Sequence, residues 1–307
     1  MTSPISILDG GMSRELVRAG APFRQPEWSA HALIEGPDFV RQVHSEFLDA
    51  GADVITMNNY AIVPFHMGEE RFRTEGRALA DLAGRLAREA TETSETSETS
   101  EAPTRPTKVA GSIPPVFGSY RPDLFDADLA PSILAPIIES LSPHVDIWIA
   151  ETQSSIAEVR AIRATLGTDT RPLWISFSLN DDDRQADADN AEPTLRAGES
   201  IAEIGEDALL SNCSEAEITG PAIRAAVALD PTLKIGVYAN AFAPETKKLA
   251  ANTGLCDIRA DLVPATYLTF AQRWVDAGAT IVGGCCEVGT PHIAELALAL
   301  NPAHVPA

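Results

Sequence analysis

A single (β/α)8 barrel is the fold this sequence predicts, and three observations predict it. Short apolar, β-rich runs alternate with longer segments of helical periodicity, as parallel βα units require. Eight such runs can be counted along the chain. The length, 307 residues with 45% hydrophobic content, is one at which α/β barrels commonly form one domain, so the barrel is expected to span 1–307.

The eight expected strands are Ile5 to Leu8, Val54 to Asn58, Lys108 to Ile113, Asp146 to Ala150, Leu173 to Leu179, Ala208 to Ser211, Lys234 to Ala239 and Thr280 to Gly283. Between them, Phe39, Val40, Val43, Phe47 and Leu48 keep helical spacing up to Gly51, and Val159, Ile162 and Leu166 do so up to Gly167. Glycine is a common helix terminator. Ser214 with Glu217 reads as a capping box, and Thr290-Pro291 as a cap followed by a first-turn proline. Those caps place Cys213 and Cys286 near helix N-termini, where the helix dipole favours thiolate over thiol.

One segment is out of character. Residues 91–107, TETSETSETSEAPTRPT, form a polar repeat unable to bury apolar surface, and disorder is expected there. The repeat lies between a helix and the third strand, hence on the face of the barrel opposite the active one. Asn180 to Ser200 and Ala241 to Ala260 follow strands and are expected to project from the active face; the run Asp181-Asp182-Asp183 reads as a solvated loop.

The formal net charge is −21, with a pI near 4.6. Nucleic acid and anionic membrane surfaces would repel such a chain, which points to small-molecule partners. The first residues show no basic segment followed by an apolar stretch, and no run reaches transmembrane length. With four cysteines, two of them adjacent, the chain is expected to be reduced and cytoplasmic.

Those cysteines carry the chemistry. Gly283-Gly284-Cys285-Cys286 closes the eighth run, and Cys213 closes the sixth through Ser211 and Asn212. Three thiols at strand ends suggest one zinc ion, which binds thiolate sulfur at about 2.3 Å in tetrahedral coordination. Three protein ligands leave a fourth position for a substrate thiol. Taken alone, the adjacent pair also fits a vicinal disulfide, a redox sensor or buried free thiols. Cys256, in a polar stretch, reads as an ordinary thiol.

Other polar residues close the strands on the same face: Asp9, Asn58, Asn59, Tyr60, Glu151, Asn212, Tyr238 and Asn240. For Asp9 and Glu151 a general base, a metal ligand, an ammonium clamp and a simple helix cap all remain open. The six histidines show no ligand spacing, and His292 falls in a helix first turn. No phosphate loop or dinucleotide fingerprint is present.

Together these segments resemble the homocysteine S-methyltransferases, a family also seen as the homocysteine-binding module of larger methionine synthases. The resemblance rests on Leu8-Asp9-Gly10-Gly11, Trp28-Ser29-Ala30 leading into Val43-His44, Ala50 to Thr56, Ala110-Gly111-Ser112-Ile113, Glu151-Thr152, Asn212-Cys213, Val237-Tyr238-Ala239-Asn240 and Gly283-Gly284-Cys285-Cys286. It implies a barrel whose Cys213, Cys285 and Cys286 hold zinc, with the homocysteine sulfur as fourth ligand. It also implies that Asp9 and Glu151 hold the substrate ammonium, helped by the backbone at Gly10 and Gly11, with Asn212 and Tyr60 at the same site.

The implied reaction is direct methyl transfer to homocysteine, giving methionine. Betaine-using relatives carry tyrosine after the glutamate, where this chain has Thr152. A sulfonium donor, S-methylmethionine or S-adenosylmethionine, is therefore expected. Trp28, Tyr60, Phe117 and Tyr120 offer rings for such a cation, each with ordinary packing as its alternative. The competing functional reading is a non-catalytic homocysteine-binding or thiol-sensing module that needs a separate methyl-delivering partner.

Overall fold

The computed structural model describes residues 4–24, 27–95, 107–181, 194–195, 199, 207–242 and 259–301. Eight strands carry the architecture: β1 (Ser6–Ile7), β2 (Val54–Thr56), β3 (Lys108–Ile113), β4 (Ile147–Gln153), β5 (Leu173–Phe177), β6 (Ala208–Asn212), β7 (Lys234–Tyr238) and β8 (Ile281–Val282). All neighbours pair in parallel, in the order β1-β8-β7-β6-β5-β4-β3-β2. A parallel bridge between Leu8 and Val54 closes the ring, with the Asp9 N–H donating to the Val54 carbonyl at 3.0 Å. The expected (β/α)8 barrel is the observed fold.

Helices α1 (Met12–Arg18), α2 (Ser29–Glu35), α3 (Pro37–Asp49), α4 (Pro64–Met67), α5 (Glu69–Glu95), α6 (Ala130–Leu141), α7 (Ile156–Leu166), α8 (Thr219–Leu229), α9 (Pro264–Ala277) and α10 (Thr290–Leu300) occur between and after the strands. Two apolar layers result. One lies between helices and sheet and takes in residues such as Val40, Val43 and Phe47 of α3. The other fills the barrel with Leu8, Val54, Ala110, Ile147, Ile149, Trp174, Ala208, Leu210, Tyr238 and Ile281. Strand side chains alternate between the two faces, which is why Ile147 and Ile149 enter the barrel while Trp148 packs outward.

Several local expectations need correction. Thr91 to Glu95 are not disordered but complete α5, whose helix carries past the last apolar turn; the rest of the 91–107 repeat, up to 106, lies outside the described residues. The Ser214–Glu217 capping box does not form, because the Ser214 hydroxyl is used by the Leu179 N–H at 2.8 Å and the Asn212 carbonyl at 3.0 Å. Helix α8 starts later, at Thr219. A capping box does form at Ser155 and Glu158, opening α7. Gly289, not Thr290, is the cap residue of α10, and Thr290-Pro291 supply its first two positions.

Cys213 and Cys286 accordingly stand six and four residues before α8 and α10, too far for the dipole of a helix terminus to act strongly, since it fades within a turn. The strands are also shorter than expected at β1 and β8 and longer at β4. No helix among the described residues is long and apolar enough to cross a membrane.

His44, on α3, is fully buried, and neither ring nitrogen has a hydrogen-bond partner among the described residues. Burial lowers its pKa from 6.5 to about 4. A lowered pKa on a base means that the unfolded chain takes up a proton first, so stability is lost as pH falls from about 6.5 through 4. Denaturant titrations at pH 7 and pH 4.5 should show a His44→Leu variant losing about 2 kcal/mol less than the parent over that interval. Equal losses would contradict a buried, neutral ring.

Candidate metal centre and adjoining carboxyls

The inward-facing positions change character at the carboxyl ends of the strands. Two residues beyond Val54, Ala110, Ile149, Trp174 and Leu210 stand Thr56, Ser112, Glu151, Ser176 and Asn212. The same alternation that fills the barrel with apolar side chains thus caps it with a polar layer. Active sites of this architecture sit at that face.

Asn212 is the hub of the layer. Its side-chain oxygen accepts from the Thr152 N–H at 2.9 Å and the Ser176 hydroxyl at 2.8 Å, and its amide donates to the Thr152 hydroxyl at 2.8 Å. The backbone on both sides of these bonds is left-handed, with φ of 59° at Thr152 and 49° at Cys213. A β-branched residue rarely adopts that conformation. At Thr152 it accompanies the register shift between Ala150 and Gln153, a bulge adjoining Glu151 at the barrel mouth.

Cys285 and Cys286 reach the same place from β8. Strand β7 lies between β6 and β8, and its extension bonds to both cysteine segments: Cys213 N–H to the Tyr238 carbonyl at 3.3 Å, Cys285 N–H to that of Ala239 at 3.0 Å. The buried Tyr267 hydroxyl ties Ala239 and Gly283 together by donating to their carbonyls at 3.1 and 2.8 Å. Gly284 has no room for a side chain, since a Cβ would lie 2.1 Å from Val288. Gly11 is equally confined, with a Cβ falling 2.6 Å from the Cys285 carbonyl oxygen.

The three sulfurs lie within 4.8 Å of one another. Cys213 Sγ is 3.6 Å from Cys286 Sγ, and Cys285 Sγ is 4.0 Å from Cys286 Sγ. All three are free thiols, so the adjacent pair is not a vicinal disulfide. A tetrahedral ion with sulfur ligands at about 2.3 Å needs sulfur–sulfur edges of roughly 3.8 Å, and the observed spacings match. Hydrogen bonding to Cys213 is the first cause that pushes the Cys285 and Cys286 thiols well up, with burial adding to it. Three sulfurs this close could hold a metal ion, and ionising all of them together would call for such a charge.

Beside the sulfurs lie two carboxyls, Asp9 and Glu151. Asp9 is buried; its carboxylate accepts from the Thr56 N–H at 2.7 Å and from the Thr56 hydroxyl at 3.1 Å. Burial, opposed by those bonds and aided by the nearby Glu151 charge, raises its pKa to about 8. Glu151 is bonded by the Ser112 hydroxyl, and burial followed by the charge of Cys213 raises it to about 7 despite that bond. The Tyr60 hydroxyl meets that of Ser119 at 2.5 Å. Tyr238, the strand partner of Asn212, packs inside the barrel near Glu151, Cys285 and Cys213.

Residues 6–300 match the family model described as homocysteine S-methyltransferase. The chain belongs to the homocysteine S-methyltransferase family. Among curated relatives it is 28% identical to homocysteine S-methyltransferase YbgG of Bacillus subtilis (strain 168), over 96% of this chain and 94% of that protein. The homocysteine S-methyltransferase of Escherichia coli (strain K12) is also 28% identical, covering 95% and 94%. A selenocysteine Se-methyltransferase of Brassica oleracea var. italica matches at 28%, covering 93% and 86%. In three dimensions the chain superposes on the metallated form of the Escherichia coli homocysteine methyltransferase MmuM with a TM-score of 0.74 at 26% identity, over 96% of each chain. The oxidized form of MmuM gives 0.77 at 25%, again over 96% of each. The chain is thus an enzyme of a methyltransferase family.

The structure brings Cys213, Cys285, Cys286, Asp9, Glu151 and Tyr60 to one end of the barrel. Asn212 is 1% exposed, with its polar atoms engaged with Thr152 and Ser176 and its amide 4.0 Å from Cys285 Sγ. Gly10 and Gly11 are close-packing positions, and the Gly11 N–H is committed to the Val288 carbonyl at 2.8 Å. Trp28 packs edge-on to Phe23 and Phe117 edge-on to Phe125. His292 is bound to the Leu262 carbonyl at 2.9 Å, in the first turn of α10 as expected. Cys256 and most of 180–200 and 241–260 lie outside the described residues.

Thr56, Ser112, Tyr267 and Arg14 escaped sequence reasoning. Thr56 and Ser112 carried a usable signal, since each continues the inward alternation of its strand. Replacing Cys213 by serine should lower bound divalent metal from one ion per chain to well below one while circular dichroism stays unchanged. Undiminished metal content in that variant would exclude the three-sulfur centre.

Proposed function

We propose that this protein is a zinc-dependent S-methyltransferase that moves a methyl group from a sulfonium donor, S-methylmethionine or S-adenosylmethionine, to homocysteine and releases methionine. The observation that carries the proposal is the pairing of a three-thiol cluster with two carboxyls of raised pKa, buried Asp9 and half-buried Glu151, at one barrel mouth. Homocysteine complements both halves, with a sulfur at one end and an ammonium at the other.

Cys213, Cys285 and Cys286 would hold the zinc, whose soft, closed-shell character suits thiolate donors. When bound, the ion supplies charge that keeps a substrate sulfur deprotonated at neutral pH. Asp9 and Glu151 receive the ammonium, and its positive charge offsets the cost of keeping both carboxylates ionised out of water. Thr56 and Ser112 aim those carboxylates through the bonds described above. Asn212 acts as a positioning residue, fixing the Glu151–Thr152 bulge against Cys213. Tyr60, half-buried at the end of β2 with Tyr60–His66 ring centroids 6.3 Å apart, offers an aromatic face to a sulfonium.

A sulfonium donor carries its own leaving group, a neutral thioether, so no acid is needed to protonate what departs. The acidic surroundings attract a cationic donor and leave an uncharged product thioether without that attraction. The competing reading, a binding module served by a separate methyl-delivering partner, is separated from this one by a simple assay.

Purified, zinc-loaded protein incubated with homocysteine and a donor panel should form methionine with no second protein added. Dependence on added protein would favour the binding module. In that assay Glu151→Gln should raise KM for homocysteine by roughly 10- to 100-fold, the loss of one charge-assisted bond. The pH profile has a defined sign. Raised carboxyl pKa values mean that the ammonium site gains charge as pH climbs through about 7 and 8, so KM should fall over that window. The two groups face each other and titrate as a pair. Glu151→Gln should abolish the lower part of that fall in KM; an unaltered profile would remove Glu151 from substrate binding.

A further inference from the structure

Three connections stitch the segment after β1 to the turn after β8. The Gly284 N–H donates to the Asp9 carbonyl at 3.0 Å, and the Gly11 N–H donates to the Val288 carbonyl at 2.8 Å. The third is an ion pair between the Arg14 guanidinium, in the first turn of α1, and the Glu287 carboxylate. Glu287 directly follows Cys286 and holds a left-handed φ of 67°, a conformation an ordinary side chain adopts only under constraint. Its side chain is 14% exposed against 38% for Arg14, so the pair is screened by solvent less than an open surface contact. The Glu287 amide also lies 3.2 Å from where a Cβ on Gly11 would sit.

The two stitched segments carry the groups assigned to opposite ends of the substrate. Asp9 is on one, and Cys285 and Cys286 are on the other. Their separation is a ruler for the number of carbons between an amino group and a sulfur. The backbone bonds fix the inner edge of the seam, and the Arg14–Glu287 pair fixes its outer edge.

We infer that the Arg14–Glu287 pair is a positioning device that sets the distance between the Asp9 carboxylate and the Cys285–Cys286 sulfurs, and so selects homocysteine over cysteine, its homologue shorter by one methylene. This inference rests on the homocysteine reading above. A fitted site discriminates one methylene by about 10- to 200-fold, and only when its two ends cannot approach each other. Removing the outer tether lets the seam breathe, which favours the shorter thiol.

The test compares zinc-loaded parent, Arg14→Gln, Glu287→Gln and the charge-exchanged double variant Arg14→Glu/Glu287→Arg. Each is assayed for kcat/KM with homocysteine and with cysteine, for calorimetric binding of both thiols, and for thermal unfolding without metal. The single variants should lower the homocysteine-to-cysteine ratio about tenfold, chiefly through KM, the lower end of one-methylene discrimination. The exchanged pair should return the ratio to within about threefold of the parent, because complementary charge again closes the seam. An unchanged ratio, an equal loss for both thiols, or no recovery in the exchanged variant would each overturn the inference. Parent protein that binds homocysteine without turning it over would overturn the methyltransferase reading instead, while the binding ratios still judge the ion pair.

Discussion

Negative charge confined to a buried place governs this molecule. Three thiols and two carboxyls converge at one end of the barrel, and each raises the cost of ionising the next. Among the described residues, no arginine or lysine is bonded to them as a direct neutraliser. Arg14, on the neighbouring seam, is paired with Glu287. In the function proposed above, a metal at the sulfurs and an ammonium at the carboxylates would supply the opposing positive charge. Binding and ionisation are linked there, since each arriving cation makes the charged form of its ligands cheaper.

Holding such groups in place takes a stiff frame. The apolar filling of the barrel supplies part of it, and the strained backbone at Thr152, Cys213 and Glu287 shows where the frame is forced. Asn212 braces the first of these by bonding Thr152 and the β5 residue Ser176 at once. Tyr267 does the analogous task on the other side, tying β7 to β8 through two carbonyls. Neither residue needs to touch a substrate for its loss to be felt. Misplacement of a ligand by an ångström is enough to spoil a metal centre.

Much of the architecture could be read from the chain because it depends on local repetition. Eight apolar runs with helical segments between them leave few topologies other than a parallel barrel, since βα connections are short and right-handed. The cysteine trio was legible for the same reason: once Cys213 and Cys285-Cys286 are assigned to strand ends on one face, closure of the ring brings them near each other. Caps were less legible. Ser214 and Glu217 have the right spacing for a capping box, yet tertiary partners at Leu179 and Asn212 claim the hydroxyl first, and the propensity is overridden.

By itself, then, the sequence determined the barrel, the face that carries the chemistry and the identity of the sulfurs. All of these follow from periodicity and from which residue types end each strand. Only the tertiary structure decided that Asn212 bonds Thr152 and Ser176, that Glu151 adjoins a left-handed bulge, that Thr56 and Ser112 bond the acids, and that Arg14 meets Glu287 across 273 positions of chain. Such pairings depend on the register of strands and on loops from distant segments meeting in space. Nothing in a local pattern encodes a distance between groups so far apart along the backbone.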